Sequence, residues 1–556
     1  MNFDILFLLP IVAVGLAAAI HATAYLHGEA LLHRPRFWGF FLATLAAMAG
    51  VVLAPGKIAF LFAWEAMGLA SAGLVAFEHE EKAVRKATWI YLLACHAGAC
   101  LLMLAGVLLG RTDAFLAAFF CGIAGFGLKI GFPPFHIWLP EAHPAAPAPA
   151  SAVMSGAMIP LGFYGLLRFF WPQCHLVPYA TPCGWTLLVL GLVGALGGIL
   201  FALPQANLKR LLAFSSVENM GVIAIGLGLA ALGWDAQPIG ALALAGALAH
   251  VLNHALLKGG LFLAAGSVLR QTGTLDQDLL GGLMKRMPQT GTLFTLNALG
   301  LAGLPPFNGF LGELLIYSAA FAAVRTSSSA LITAGFLVLT FLSLTGGFAA
   351  AAYCKAIGAT FLGEPRSQAA ADAVETPRRM WLAQLLLFVL SLAMVPGTIY
   401  LARLFGLGTD LLIAAAVFGG ATAALAAALV ALRRFLCPRG AVKPVCPTWD
   451  CGYAEPTARM AYTGTAFTQP LADLFNPILH ARRHLIPFRG HPATPTDAAL
   501  VGETDDRALV GFWRPIFTFF ARLFQQAHLL QNGSLHLYIL LIILAVMALL
   551  IAAFVS

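Results

Sequence analysis

Several ionisable side chains of this sequence lie inside stretches that are otherwise apolar. Glu65, Lys129, Lys258 and Lys355 are flanked by apolar residues, and Lys209 opens another such stretch. A charge in the middle of a membrane-spanning helix costs about 2.5–3.5 kcal/mol even on the lenient insertion scale, so each is a candidate functional residue. Carboxylates and amines can take up and release protons, and the series therefore predicts proton translocation.

Three of the ionisable groups recur at a regular spacing. His250, His254 and Lys258 are four residues apart, so a helix would stack them on one face over about 12 Å. Histidine changes its charge near neutral pH, and a carboxylate near a lysine favours the charged amine, so separating such a pair releases a proton. The two histidines could instead bind a metal, but no HExxH pattern and no third ligand is evident.

The elements that must position these groups are membrane helices. The 556 residues are 60% hydrophobic and 10% charged, with a mean hydropathy of +0.86. Many runs rich in Leu, Ala and Gly reach the roughly 20 residues that cross a bilayer core as a helix. The prediction is an all-α polytopic membrane protein of about 14–15 transmembrane helices. The segments are 3–25, 36–54, 58–77, 87–109, 114–139, 150–171, 184–204, 210–233, 238–270, 291–304, 308–325, 330–362, 380–402, 409–432 and 535–555.

The connecting regions raise a question of orientation. Residues 433–510 form a polar tail rich in Pro and Arg, and 511–530 is a possible interfacial helix. The basic loop 78–87 and the tail should both be cytoplasmic, yet eleven counted crossings would put them on opposite faces. The count is therefore off by one, and interrupted helices are the expected cause. The two candidates are the segment of Lys129, where a break would line a hydrated cavity, and the run 238–270, about 50 Å long.

Simpler interpretations apply to some of these residues. His21 and His96 are more simply hydrogen-bonded packing residues, Glu65 could belong to a structural ion pair, and the charges of 78–86 form a solvated loop. The nine cysteines have no metal-cluster spacing, including Cys437, Cys446 and Cys451 of the tail. No phosphate loop or dinucleotide motif is present either, so we expect no cofactor in this chain and no nucleic acid partner.

Several longer motifs together resemble a known family. They are WEAMGL around Glu65, the stretch from Lys129 through HIWLPEAHPAAPAPASAVMSGAM, LKRLLAFSSVENMG, HVLNHALLKGGLF and GLAGLPPFNGFLGE, in order over roughly 57–365. The sequence resembles the antiporter-like, proton-conducting membrane subunits of respiratory complex I, Mrp-type cation/proton antiporters and group 4 [NiFe] hydrogenases.

This resemblance implies two inverted antiporter-like repeats with discontinuous helices. It implies that Glu65 and Lys129 form a coupled pair, that Lys209, His250, His254 and Lys258 link the halves, and that Lys355 serves the second half. Candidates for access or coupling are His136, Glu141, His143, Glu218 and Glu313. The implied domains are 1–56, N-terminal helices; 57–183 and 184–365, the two halves; 366–432, peripheral helices; 433–532, the tail; and 533–556, a final helix.

Details within the family favour the hydrogenase branch. Ser155 stands where complex I subunits usually have a histidine, and the SSVENMG run and the tail TWDCGYAEPTARMAYTGTAFTQPLADLF are similar to formate hydrogenlyase or hydrogenase-4 subunits. The chain looks about two helices short at its N-terminus, where a partner or a compact start would account for the difference.

The expected protein is a multi-pass subunit of the cell inner membrane. It would translocate protons beside lipids and the other subunits of a redox complex, [NiFe] hydrogenase-like with iron–sulfur subunits. The alternatives are an Mrp-type antiporter without redox coupling and an inactive anchoring scaffold, and few carboxylates beyond Glu65 and Glu313 are available to coordinate Na⁺.

Overall fold

A computed structural model describes residues 3–27, 33–111, 113–436, 462–491, 494–504, 508–527 and 547. It divides into two units, Met1–Thr504 and Asp505–Ser556. The apolar runs of the first unit form helices because every backbone polar group in a bilayer must bond within its own segment. The helices are α1 Asp4–Tyr25, α2 His33–Leu53, α3 Lys57–Val75, α4 Lys82–Leu108, α5 Phe115–Ile130, α6 Leu139–Ala145, α7 Ala148–Val153, α8 Leu161–Phe169, α9 Trp171–Cys174, α10 Ala180–Ala202, α11 Leu208–Leu232, α12 Ile239–Thr272, α13 Leu283–Arg286, α14 Pro288–Leu301, α15 Asn308–Val324, α16 Ser329–Phe361, α17 Gln368–Ala371, α18 Arg378–Leu404 and α19 Asp410–Leu436.

Twelve helices of the described residues are long and apolar enough to cross a membrane, which confirms the polytopic all-α prediction. The predicted number of crossings was wrong at one place. Segments 291–304 and 308–325 were counted as two crossings, but α14 and α15 are short helices of 14 and 17 residues in series. Gly291 of α14 lies against Phe361 at the end of α16, and Val324 at the end of α15 lies against Gly335 near its start. The pair therefore makes one broken crossing antiparallel to α16.

The other predicted interruptions had different outcomes. Helix α5 ends at Ile130, and a turn of 3₁₀ helix, Phe135–Trp138, leads into the short α6, so the predicted break after Lys129 is confirmed. By contrast, α12 is one continuous helix of 34 residues, and the suspected break in 238–270 is wrong. A five-residue π-helical turn, Met154–Met158, joins α7 to α8.

The two broken crossings run in opposite directions through the bundle. Both breaks fall at the same short motif, Gly131–Phe–Pro–Pro–Phe and Gly303–Leu–Pro–Pro–Phe, and both glycines are left-handed, with φ of 85° and 68°. A side chain at Gly131 would displace the end of the Leu139 side chain, and one at Gly303 would meet Glu313 Oε2 at 2.8 Å. Glycine is therefore favoured at each break, chiefly by the left-handed backbone conformation. This arrangement agrees with the expected inverted repeats.

The merged helix pair resolves the question of orientation. We call the end of the bundle that holds residues 76–81, 203–207, 273–287 and 362–377 the basic face. The opposite face holds Asp4, Trp171 and Trp234. Between loop 76–81 and the end of α19 at Leu436 the chain makes ten crossings, because α14 and α15 count once. Loop 76–81 and the end of α19 therefore lie on the basic face, and the error of one crossing comes from an interrupted helix other than the two candidates.

The tail contributes the remaining described elements. In the first unit they are α20 Gly464–Leu474, α21 Asn476–Leu479 and an antiparallel ribbon of β1 Ala481–His491 and β2 Thr494–Thr504, which pairs Ala481 with Thr504 and His491 with Thr494. The all-α prediction did not include this ribbon, which lies in the polar tail.

The second unit contains a π-helical turn, Ala508–Trp513, followed by α22 Arg514–Ala527. Apolar residues at helical spacing alternate with a face that carries Arg514, Thr518 and Arg522, so a helix is present where an interfacial one was expected. Its position at a membrane surface stays a prediction. The predicted helix 535–555, apart from residue 547, and the three tail cysteines lie outside the described residues.

Candidate functional site

Lys129 lies at the last turn of α5, directly before the first break. Its side chain is 4% exposed, and Nζ donates to Tyr91 Oη at 2.8 Å and to Cys95 Sγ at 3.3 Å. Tyr91 Oη in turn lies 2.6 Å from Ser71 Oγ. A cavity of about 10 Å³ adjoins Lys129 between α3, α4 and α5, close to the space that one water molecule needs. The amine thus sits in a small polar site.

Glu65 does not lie in direct contact with Lys129 in this structure. Its Oε2 is 3.0 Å from His96 Nδ1, and the two side chains are 31% and 52% exposed on the side of the bundle. Among the described residues, the ion pair of Glu65 is with His96, so any coupling of Glu65 to Lys129 must pass through intervening groups. His96 is hydrogen-bonded, as expected, and its partner is Glu65.

Lys209 and Arg210, at the start of α11, both form polar contacts with the short helix α6 or its C-terminal end. Lys209 is 1% exposed, and Nζ donates to the carbonyl oxygen of Ala146 at 2.7 Å, next to the C-terminus of α6. Arg210 forms an ion pair with Glu141 at 3.3 Å. A positive charge at a helix C-terminus is electrostatically favourable, so Lys209 stabilises the broken crossing as well as contributing a titratable group.

His250, His254 and Lys258 lie on one face of α12, as their spacing predicted. His250 Nε2 is 3.1 Å from Asn219 Oδ1 and His254 Nε2 is 3.3 Å from the carbonyl oxygen of Ser155. All three side chains are at most 1% exposed. The face is thus directed at α11 and at the π-helical turn, in the middle of the bundle.

Lys258 has the most hydroxyl partners of the three. Its Nζ donates to Ser215 Oγ at 2.5 Å and to Tyr353 Oη at 3.3 Å. Ser216, next to Ser215, is 2.8 Å from Ser155 Oγ. Hydroxyls of α11 and α16 therefore contact the central lysine, and a pair of serine hydroxyls joins α11 to the π-helical turn.

His143 connects the Lys209 region to the Lys258 region. It is fully buried and stacked on Phe262, with ring centroids 4.9 Å apart, and neither ring nitrogen has a hydrogen-bond partner among the described residues. Phe262 lies on α12, one turn beyond Lys258, and Lys209 contacts the end of the α6 helix that carries His143. His136, in the 3₁₀ turn, is 5% exposed and its ring lies 6.2 Å from that of Phe214.

The two remaining acidic candidates lie on different helices. Glu218 is buried on α11 and accepts a hydrogen bond from Asn219 Nδ2 at 2.5 Å. Glu313 lies on α15 with its carboxylate against the turn at Gly303. The second break thus has a carboxylate beside it, where the first has Lys129.

Lys355 lies apart from the central groups. Its Nζ donates to the carbonyl oxygens of Leu203 and Gln205, both at 2.7 Å, near the basic face. Two residues away, Tyr353 faces Lys258 instead. From this position Lys355 could exchange protons at one end of the path or stabilise the C-terminal end of α10. Its predicted role in the second half stays a prediction.

The hydroxyl partners Tyr91, Ser215 and Tyr353 were not among the residues predicted from the sequence. A tyrosine in a helix is ordinarily a packing residue, so its type alone gives no signal. Ser215 and Asn219 are four residues apart on α11, and that polar spacing opposite His250 and Lys258 was a usable signal. Among the described residues, no group of three or more His, Cys, Asp or Glu side chains could hold a metal ion.

Two opposed broken helices, one beside Lys129 and one beside Glu313, define a class of polytopic membrane protein. Residues 54–343 match a family model described as NADH:quinone oxidoreductase/Mrp antiporter, transmembrane. The chain belongs to this family, as the motifs indicated.

Individual relatives agree with this assignment. The chain is 33% identical to hydrogenase-4 component B of Escherichia coli (strain K12), over 92% of this chain and 83% of that protein. It is 34% identical to formate hydrogenlyase subunit 3 of the same organism, over 66% of this chain and 61% of that protein. The membrane-bound sulfane sulfur reductase, an archaeal respiratory membrane complex, has a chain of the same fold, with a TM-score of 0.73 at 22% identity over 100% of this chain and 89% of that one. These relatives are components of multisubunit membrane assemblies.

Proposed function

We propose that this chain is the proton-translocating membrane subunit of a redox-driven complex of the group 4 hydrogenase, formate hydrogenlyase or complex I type. Protons would pass along the Glu–Lys–His–Lys series. Lys129, Lys209, His143 and Lys258 would exchange them through the adjoining hydroxyls, and electrons would be handled by other subunits, expected to be [NiFe] hydrogenase-like with iron–sulfur centres.

One observation carries this proposal. Three of the buried lysines and three of the buried histidines lie around the first break and the middle of the bundle at most 4% exposed, and none of these lysines has a carboxylate in direct contact among the described residues. The lysines are Lys129, Lys209 and Lys258, and the histidines are His143, His250 and His254. Isolated buried amines are costly, whereas hydrophobic residues would satisfy packing alone. Groups that change protonation during a cycle account for their presence better than a scaffold does.

The orientation of the chain in the membrane follows from the distribution of basic residues. Arginines and lysines at the helix ends are concentrated on the basic face, and by the positive-inside rule that face would be cytoplasmic in a cell inner membrane. The basic face carries Arg34, Arg36, Lys82, Arg85, Lys86, Arg210, Arg270, Lys285, Arg286, Arg366, Arg378, Arg379, Arg433 and Arg434, and the opposite face carries Lys57, Arg111, Arg168, Arg325 and Arg403. The redox arm would dock on the basic face.

Replacement of Lys129 tests the proposal. We expect Lys129→Met to leave assembly of the purified complex intact and to reduce redox-driven proton uptake into proteoliposomes to background, because the amine that exchanges the proton is gone. Lys57→Met, at the exposed start of α3, is the matched control and should transport normally. Normal pumping by the assembled Lys129→Met complex would refute the assigned path.

The second candidate function is Mrp-type cation/proton antiport without redox coupling, which the description of the matched family includes. Dissipation of an imposed pH gradient by Na⁺ in proteoliposomes, with no electron donor present, distinguishes the two functions. An antiporter exchanges Na⁺ for H⁺ under these conditions, whereas the redox-driven subunit requires its electron-transfer partners.

A further inference from the structure

A polar cluster on the basic face joins the tail to the membrane bundle at Asp278. The residues after α12 pair with the α10–α11 linker, since Gln277 Nε2 donates to the carbonyl oxygens of Gln205 and Ala206 at 3.2 and 3.0 Å. Arg366 donates to the carbonyl oxygens of Gln277 and Asp278 at 2.6 and 3.0 Å. Burial lowers the pKa of Arg366, and the nearby Asp278 and Asp276 oppose that shift. The cluster thus fixes the backbone at Asp278 in place.

Helix α20 of the tail begins on this carboxylate. Thr465 donates its backbone N–H to Asp278 Oδ1 at 3.0 Å and its hydroxyl to Oδ2. Thr463 caps the same helix end by accepting from the N–H of Ala466 at 3.1 Å. A carboxylate at the N-terminus of an 11-residue helix also interacts favourably with the helix dipole. Asp278 is therefore a specific docking point for α20.

The same helix start lies directly over Lys355. A Cβ atom at Gly464 would be 3.1 Å from Lys355 Cε and 3.3 Å from Ala359 Cβ. Lys355 is 1% exposed although it is only six residues from the end of α16. Asp278 and Asp276 both act electrostatically on the charge of Lys355. The carboxylate of Asp278 therefore interacts with the lysine as well as with the covering helix.

We propose that α20 is a detachable cover over Lys355, held by Asp278, and that movement of the tail controls access from the basic face to this lysine. The proposal rests on the proposed proton-translocating function for its consequence, but not for its geometry. A partner that engages the tail on this face would lift α20 and open the path, so that proton entry is coupled to assembly or turnover of the complex.

Thiol labelling tests whether the cover opens. In inverted vesicles that hold the whole complex, a Cys introduced by Ala359→Cys should react slowly with a membrane-impermeant maleimide. Adding Thr465→Val, which removes the hydroxyl donor to Asp278, should raise the rate roughly threefold to tenfold, in proportion to one net hydrogen bond. Thr518→Val, in α22, is the matched control, and labelling is read against the parent with its native cysteines. Equal rates in all three backgrounds would overturn the proposal.

A reversible lock tests whether the opening matters for transport. The Cβ separation at positions 359 and 464 is close to that of a disulfide, so Ala359→Cys with Gly464→Cys should cross-link on oxidation. We expect proton transport to fall at least several-fold when the pair is oxidised and to recover on reduction. In either single variant, the oxidant should not change the rate of proton transport. Unchanged transport in the cross-linked complex would refute control by α20. The labelling result does not depend on transport, so failure of the cover and failure of the proposed function are distinguishable.

Discussion

The hydroxyl of Tyr91 is the closest partner of Lys129, and it joins that amine to Ser71. Tyr91→Phe removes the hydroxyl and keeps the ring. We expect proton transport to fall by roughly 3- to 10-fold, as the loss of a net hydrogen bond of about 0.5–1.5 kcal/mol implies, while assembly is unchanged. Tyr400→Phe, on an exposed tyrosine of α18, is the control, and proton uptake per electron transferred is the measurement. An unaffected ratio in Tyr91→Phe would show that the hydroxyl only fills space.

Glu65 and His96 make a second prediction about individual residues. Because they contact each other, Glu65→Gln and His96→Gln should each reduce transport, and the double variant should be no worse than the more defective single variant. Such non-additivity is typical of residues that act as one unit. Additive losses in initial rates of proton uptake would instead mean that Glu65 acts with Lys129 independently of His96.

At the level of elements, the two breaks depend on glycine. Gly131→Ala and Gly303→Ala should each destabilise the protein, by roughly 1–2 kcal/mol for the left-handed backbone and more for the collision with Leu139 or Glu313. Thermal unfolding in detergent measures this loss. Gly358→Ala, in the open helical position of α16, is the control and should be neutral or slightly stabilising. Breaks that tolerate alanine without loss of stability would contradict the conformation described.

For the whole molecule, the prediction concerns the two faces. Glu80→Cys and Arg434→Cys should react with an impermeant thiol reagent from the same side of the membrane, and Arg325→Cys from the other side, because ten crossings separate the first two. Labelling of right-side-out and inverted vesicles, each compared with the parent, gives the answer. Reaction of Glu80→Cys and Arg434→Cys from opposite sides would mean that α14 and α15 do not form a single crossing.

The sequence alone determined the membrane class, the family and most of the buried ionisable groups, because hydropathy, helical spacing and motifs are local properties of the chain. It also contained the repeated G-x-P-P-F motif, which predicts two equivalent breaks once it is read as an internal repeat, and the predicted count of crossings failed because that repeat was not used.

Tertiary structure alone decided which groups are neighbours. Glu65 pairs with His96, Lys355 donates to the carbonyl oxygen of Leu203 just after α10, and Tyr91, Ser215 and Tyr353 complete the lysine sites. These contacts join residues 31 to 152 positions apart, whose relative placement depends on how whole helices pack against one another. The series of ionisable residues could be predicted from the sequence. Their partners could not, because spacing along one helix carries no information about the helix that it faces.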